Sequence, residues 1–134
     1  MPFESDFIWL EGEMVPFKDA KIHFLTSSLH YGTSLFEGIR SYSTPNGPAV
    51  FRLTDHLIRL KNSAHILGIS ELPYDIETLY SASLELIKLN KMDECYIRPL
   101  IYIKEGGWNL STTNVVVDMG IAVWKWTNYL GEQA

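Results

Sequence analysis

Apolar positions along this chain switch between a period of two and a period near 3.6, and each switch marks the edge of an element. In FIWLEGEMVPF the apolar residues flank Glu11-Gly12, which predicts two short strands folded over a glycine-bearing turn. A second hairpin is expected from residues 35–42 and 49–53, joined across Ser43-Thr44-Pro45-Asn46-Gly47-Pro48. There the glycine takes a positive φ and the prolines preset their own.

Two helices are expected next. The first starts at Thr54 as N-cap, with Asp55 near the positive helix end. Leu57, Leu60, Ala64 and Leu67 recur at helical steps, and Gly68 suits the C-terminal cap. The second runs over about residues 75–89, between Pro73 and Asn90, burying Ile76, Leu79, Leu86 and Ile87. Two longer strands are expected over 95–104 and 115–126, separated by the loop EGGWNLS. The tail TNYLGEQA loses periodicity and reads as a linker. Strand pair, helix pair and strand pair in that order predict an α+β fold, an antiparallel sheet with two helices packed on one face.

Composition narrows the function classes. The 134 residues suit one domain with one core, and 46% hydrophobic with 20% charged residues is a globular balance. A net charge of -5 with scattered Lys and Arg argues against nucleic acid as a partner. No apolar run reaches the roughly 20 residues that span a bilayer. The one cysteine, Cys95, fits a reducing cytoplasm, and neither CxxC nor HExxH is present, so no metal site is expected.

Candidate chemistry starts on the strand ECYIRPLIYIK. Its alternation puts Tyr96, Arg98, Leu100 and Tyr102 on one face and Cys95, Ile97, Ile101 and Ile103 on the other, core face. Two phenols and a guanidinium in a row can grip a carboxylate, but a solvated face with snorkelling Arg and Tyr explains the spacing as well. Arg59 lies off the buried stripe of its helix, as an anion anchor or as a plain surface arginine. In LHYGTSLFEGIRSY, Phe36, Gly38 and Arg40 share one face, while Leu35, Glu37 and Ile39 share the other. A glutamate inside such a strand needs a partner or water. Tyr31, Phe36 and His30 are open between core packing and a site. Ser27-Ser28 lacks a nucleophile elbow, and Cys95 sits on a core face, so nucleophilic triads are poorly supported.

LHYGTSLFEGIRSY, HLIRL at 56–60 and YIRPLIYI at 96–103 together resemble the branched-chain-amino-acid aminotransferases, pyridoxal-phosphate enzymes of the D-amino-acid-aminotransferase-like fold. The likeness covers nearly the whole chain. D-amino-acid aminotransferases and aminodeoxychorismate lyases would carry a GDG-type sequence where this chain has YGTSLFEG. The resemblance implies that Arg59 holds the phosphate of pyridoxal 5'-phosphate, and that Tyr31, Phe36, Tyr96 and Arg98 surround the substrate, with Arg98 receiving the side-chain carboxylate of glutamate. It also implies that Tyr31 and the loop near Leu110 reach into a partner subunit, making a homodimer or higher homo-oligomer.

Transamination needs a lysine that bonds the cofactor and an acid beside the pyridine nitrogen. Lys18, Lys21, Lys61, Lys88, Lys91, Lys104 and Lys125 match no such position, so no catalytic residue is assigned in this chain. The chain is therefore expected to be an N-terminal domain (1–126) with the start of a linker (127–134), the catalytic-lysine domain lying elsewhere. By itself it should not transaminate. Its implied parent moves the amino group of Leu, Ile or Val to 2-oxoglutarate. The alternatives are a D-amino-acid aminotransferase, an aminodeoxychorismate lyase, or a non-catalytic dimerisation module.

Overall fold

A computed structural model describes residues 3–108 and 113–126. Seven strands form one antiparallel sheet: β1 (Phe7–Leu10), β2 (Glu13–Pro16), β3 (Leu35–Phe36), β4 (Ile39–Thr44), β5 (Gly47–Val50), β6 (Cys95–Glu105) and β7 (Val116–Lys125). The order across the sheet is β2-β1-β7-β6-β4-β5, with β3 also paired to β6. Two long helices, α2 (Leu53–Leu67) and α3 (Ile76–Leu89), pack together on one face, and a short helix α1 (Ser27–Tyr31) precedes β3. The α+β fold expected from the sequence is what the chain adopts.

Strict alternation builds the core. Ile39, Ile97, Ile101, Ile103, Met119, Ile121 and Val123 point from the sheet toward Leu57, Leu60 and Ala64 of α2 and Leu79, Leu86 and Ile87 of α3, all nearly solvent-free. β-branched side chains dominate the sheet side because they fit the pleat. Leucines, unbranched at Cβ, dominate the helices, where they lose little rotamer freedom.

Three local expectations need correction. Thr54 is not the N-cap: α2 begins at Leu53, after Arg52 in the left-handed region (φ 52), and no side chain caps it. The single strand expected over 35–42 is interrupted at Glu37-Gly38, where Glu37 N–H still reaches Pro99 O (3.2 Å). The second hairpin turns more tightly than expected. Thr44 Oγ1 donates to Gly47 O (2.6 Å) and accepts from Asn46 N–H (3.2 Å), so β5 starts at Gly47 rather than residue 49. The helix α1 was not expected at all, being too short to show a period. Asp75 does cap α3, its Oδ1 accepting from Thr78 N–H (2.7 Å), and Gly68 ends α2 at φ 96.

One side chain fastens the N-terminal strand to the helical layer. Asn90, buried at the end of α3, accepts from the N–H groups of Asp6 and Phe7 (both 2.8 Å). Its amide donates to Phe7 O (3.1 Å) and Leu86 O (2.9 Å). Asn90→Ala leaves these backbone groups short of partners and should cost about 2–3 kcal/mol. Chemical denaturation should show that loss as a lower midpoint with an unchanged slope.

Candidate functional site

Three consecutive residues at the β3–β4 break, Phe36-Glu37-Gly38, each meet one of the arginine or tyrosine side chains of interest. Because the pleat alternates through the break, Phe36 and Gly38 face the open side of the sheet while Glu37 points in beneath α2.

On the inward side, Glu37 is only 6% exposed. Its carboxylate receives Arg59 Nε (2.9 and 3.0 Å to the two oxygens), Arg59 Nη2 (2.7 Å) and His56 Nδ1 (2.7 Å). An ionised carboxylate only accepts, so His56 carries a proton on Nδ1. Burial alone would raise the Glu37 pKa. The bonds and charges of Arg59 and His56 outweigh it and hold the carboxyl below its ordinary 4.5. Arg59 is 68% exposed, and Glu37 occupies only its Nε–Nη2 edge. With the group mostly in solvent, Nη1 and the second Nη2 hydrogen are left as a pair of donors suited to a phosphate or carboxylate. His56 and Arg59 are one helical turn apart, so a single face of α2 supplies both partners.

On the open side, strand register brings Arg40, Tyr96 and Trp124 into one row and Arg98 and Ala122 into the next. Arg98 lies over the Phe36 ring at 4.1 Å, and its Nη2 donates to Tyr96 Oη (2.8 Å). Tyr96 stacks on Trp124 (4.7 Å, 28°) and on Trp126 (5.6 Å, 24°), while Arg40 covers Trp126 at 3.9 Å. No acid pairs with Arg98 among the described residues, and its buried Nε finds no partner there. An apolar cleft of about 310 Å³ adjoins Arg98, walled in part by Ile8, Leu10, Leu100 and Ala122. A charge held by aromatic faces beside an apolar hollow can meet a carboxylate without carrying a counter-ion of its own.

The structure thus brings Phe36, Tyr96 and Arg98 together and places Arg59 on the far side of the same strand break. Tyr31 is not with them. It sits edge-on to Trp108 (5.6 Å, 76°), in a separate aromatic group with His30 and Phe24. His30 is a structural histidine, its Nε2 bonded to Phe24 O (3.0 Å). Leu110 lies outside the described residues, as does the 127–134 tail. Cys95 is buried, and burial pushes its thiol up to about 11, as an inert core sulfur requires. No group of His, Cys, Asp and Glu that could hold a metal occurs among the described residues.

The sequence pattern did not single out His56, Gly38 or Trp124. His56 had a weak signal, standing one helical turn before Arg59. The others acquire meaning only from strand register.

The family model described as amino-transferase class IV matches residues 34–133, from just before the Phe36-Glu37-Gly38 triplet onward. This chain belongs to the class IV aminotransferases. Among curated class IV relatives, the branched-chain-amino-acid aminotransferase of Pseudomonas aeruginosa is 41% identical over 127 residues, covering 95% of this chain and 41% of the relative. That of Escherichia coli K12 is 41% identical over 132 residues, covering 98% and 42%. The chain therefore spans about two fifths of the length of these relatives. Among solved structures, the Escherichia coli branched-chain amino acid aminotransferase superposes with a TM-score of 0.90 at 41% identity, over 98% of this chain and 43% of that one. The branched-chain aminotransferase of Thermoproteus uzoniensis, solved with norvaline, gives 0.84 at 37%, over 92% and 42%. A further branched-chain amino acid aminotransferase, complexed with N-(5'-phosphopyridoxyl)-L-glutamate, gives 0.86 at 40% over the same shares.

The Glu37 carboxyl has a lowered pKa, so its stabilising contribution is complete above the ordinary carboxylate value and is lost as pH falls through the lowered one. Glu37→Gln should cost about 1–2 kcal/mol at pH 7. Thermal unfolding followed from pH 7 downward should show variant and wild type converging only below the usual carboxylate range.

Proposed function

We propose that this chain is the N-terminal part of a pyridoxal-phosphate-dependent branched-chain aminotransferase. The reaction moves the amino group of leucine, isoleucine or valine to 2-oxoglutarate, giving glutamate and the branched 2-oxo acids. The observation that carries this reading is Arg98 resting on Phe36 at 4.1 Å beside an apolar cleft, with no acid opposite it among the described residues. An aliphatic side chain meets aromatic and aliphatic walls there. A glutamate side chain meets a guanidinium whose charge is not already neutralised by an acid. One site can thereby serve both half-reactions.

The residues present fit the cofactor's phosphate. Arg59, braced by Glu37, lines a depression of about 350 Å³ together with Phe51, Arg52, His56 and Asp55, whose charge is paired with Arg52 (2.8 Å). When bound, pyridoxal phosphate supplies the electron sink and carries the amino group between half-reactions. Arg59 anchors the phosphate end, Arg98 held by Tyr96 receives the side-chain carboxylate of glutamate, and Phe36 with its aromatic neighbours excludes water from the apolar side. The lysine and the acid at the pyridine nitrogen come, on this reading, from the part of the relatives beyond the matched region. Tyr31 and Trp108 face a second subunit of a cytoplasmic homodimer. In support, Tyr31 meets Trp108, and Phe24, Leu25 and Leu29 are exposed close by in the chain. No described helix is long and apolar enough to cross a membrane.

The reading is tested in the protein extended to the length of its relatives. Added pyridoxal phosphate should produce a visible-range absorbance band that shifts with L-leucine; a protein that takes up no cofactor sinks the proposal. Preference for D-alanine or aminodeoxychorismate over L-leucine would reassign it within the superfamily. Arg59→Ala should weaken cofactor retention about tenfold or more, measured by equilibrium dialysis. Arg98→Ala should raise KM for glutamate far more than for leucine, and equal rises would make Arg98 structural.

A further inference from the structure

Gly38 stands in the β3–β4 break on the open face, and its backbone is not in the left-handed region. Conformational freedom is therefore not what glycine contributes here. A Cβ at this position would overlap Tyr96 Oη and lie 3.1 Å from Cζ and 3.3 Å from Cε2 of the same ring. Neither partner has an easy way out. On one side, Glu37 N–H is bonded to Pro99 O (3.2 Å) and Ile39 is registered opposite Ile97. On the other, the Tyr96 ring is stacked on Trp124 and Trp126. The Tyr96 ring must tilt against its stacking partners and carry its hydroxyl away.

Its departure would be felt at Arg98. The Arg98 Nη2–Tyr96 Oη bond (2.8 Å) is the directional contact of that guanidinium among the described residues; the Phe36, Tyr96 and Trp124 faces attract it without fixing its rotation. Because Tyr96 Oη accepts from Arg98, its own hydrogen is directed elsewhere and can be given to an incoming oxygen. Phenol and guanidinium then offer adjacent donors to one carboxylate.

We propose that Gly38 is a positioning residue for carboxylate recognition: its absent side chain is the space that lets the Tyr96 hydroxyl hold and orient Arg98. This rests on the reading of Arg98 as the receiver of the acidic substrate. The effect should be selective, because the aliphatic substrate needs the aromatic wall and not the oriented donors.

The test compares wild type, Gly38→Ala, Tyr96→Phe and the double variant of the full-length protein. Gly38→Ala should raise KM for glutamate about tenfold, as for one charged hydrogen bond lost, and leave KM for leucine within about twofold. In thermal unfolding, Gly38→Ala should lower the midpoint clearly more in the wild-type background than in the Tyr96→Phe background, where the overlapping oxygen is gone and only the 3.1 and 3.3 Å ring contacts remain. Any gain from a stiffer unfolded chain is equal in both backgrounds and cancels. Equal midpoint losses in the two backgrounds, or equal KM rises for glutamate and leucine, would overturn the proposal. The unfolding cycle reads the placement of Gly38 even if leucine proves not to be a substrate, which would refute the functional reading alone.

Discussion

A carboxylate kept from water is the constraint around which this domain is arranged. Glu37 sits under α2 with almost no exposure, and such a charge is tolerable only when its lone pairs are filled. Arg59 and His56 fill them, which fixes how α2 is rotated above the sheet. The cost of burying one acid is offset by the guanidinium of Arg59 and the N–H of His56, and the arginine remains mostly in solvent. A surface arginine is ordinarily a mobile arm carrying about 2 kcal/mol of rotamer entropy. Here that freedom is given up in folding, before any ligand arrives.

The same pleat that turns Glu37 inward turns Phe36 and Gly38 outward, and this separates two kinds of chemistry across one sheet. The inner face is dry and aliphatic. The outer face carries arginines on aromatic rings, Arg98 over Phe36 and Arg40 over Trp126. Aromatic faces attract a cation without neutralising it, unlike a carboxylate partner. Arg59 and Arg98, similar in isolation, are thereby given different partners: one is braced by an acid, the other cushioned by rings.

Much of this was legible in the sequence because alternation is a local property. The faces assigned to Tyr96, Arg98 and Leu100, the opposite facing of Phe36 and Glu37, and the exposure of Arg59 all follow from counting by two or by 3.6. The α+β class followed from element order. The rest depends on distance in sequence. Nothing local says that Glu37 meets a helix about twenty residues on, or that Tyr96 lies across from Arg40 and Trp124. The start of α2 was misplaced because Thr54 is a good cap by type, whereas Arg52 enters the helix through a left-handed turn that no propensity announces. α1 was invisible because five residues hold little more than one helical turn.

The placement of β1 has a consequence for how the chain comes together in time. Its inner neighbour is β7, Trp9 pairing with Ile121, while Asn90 clasps the backbone at Asp6 and Phe7. The β1–β2 hairpin thus has to wait for β7, the last of the described strands, before it can dock. Closing so long a loop is slow, and until it happens β7 presents a bare strand edge. The N-terminal strand acts as a latch: a nascent or partly unfolded chain with this edge open is the form most exposed to pairing with another molecule.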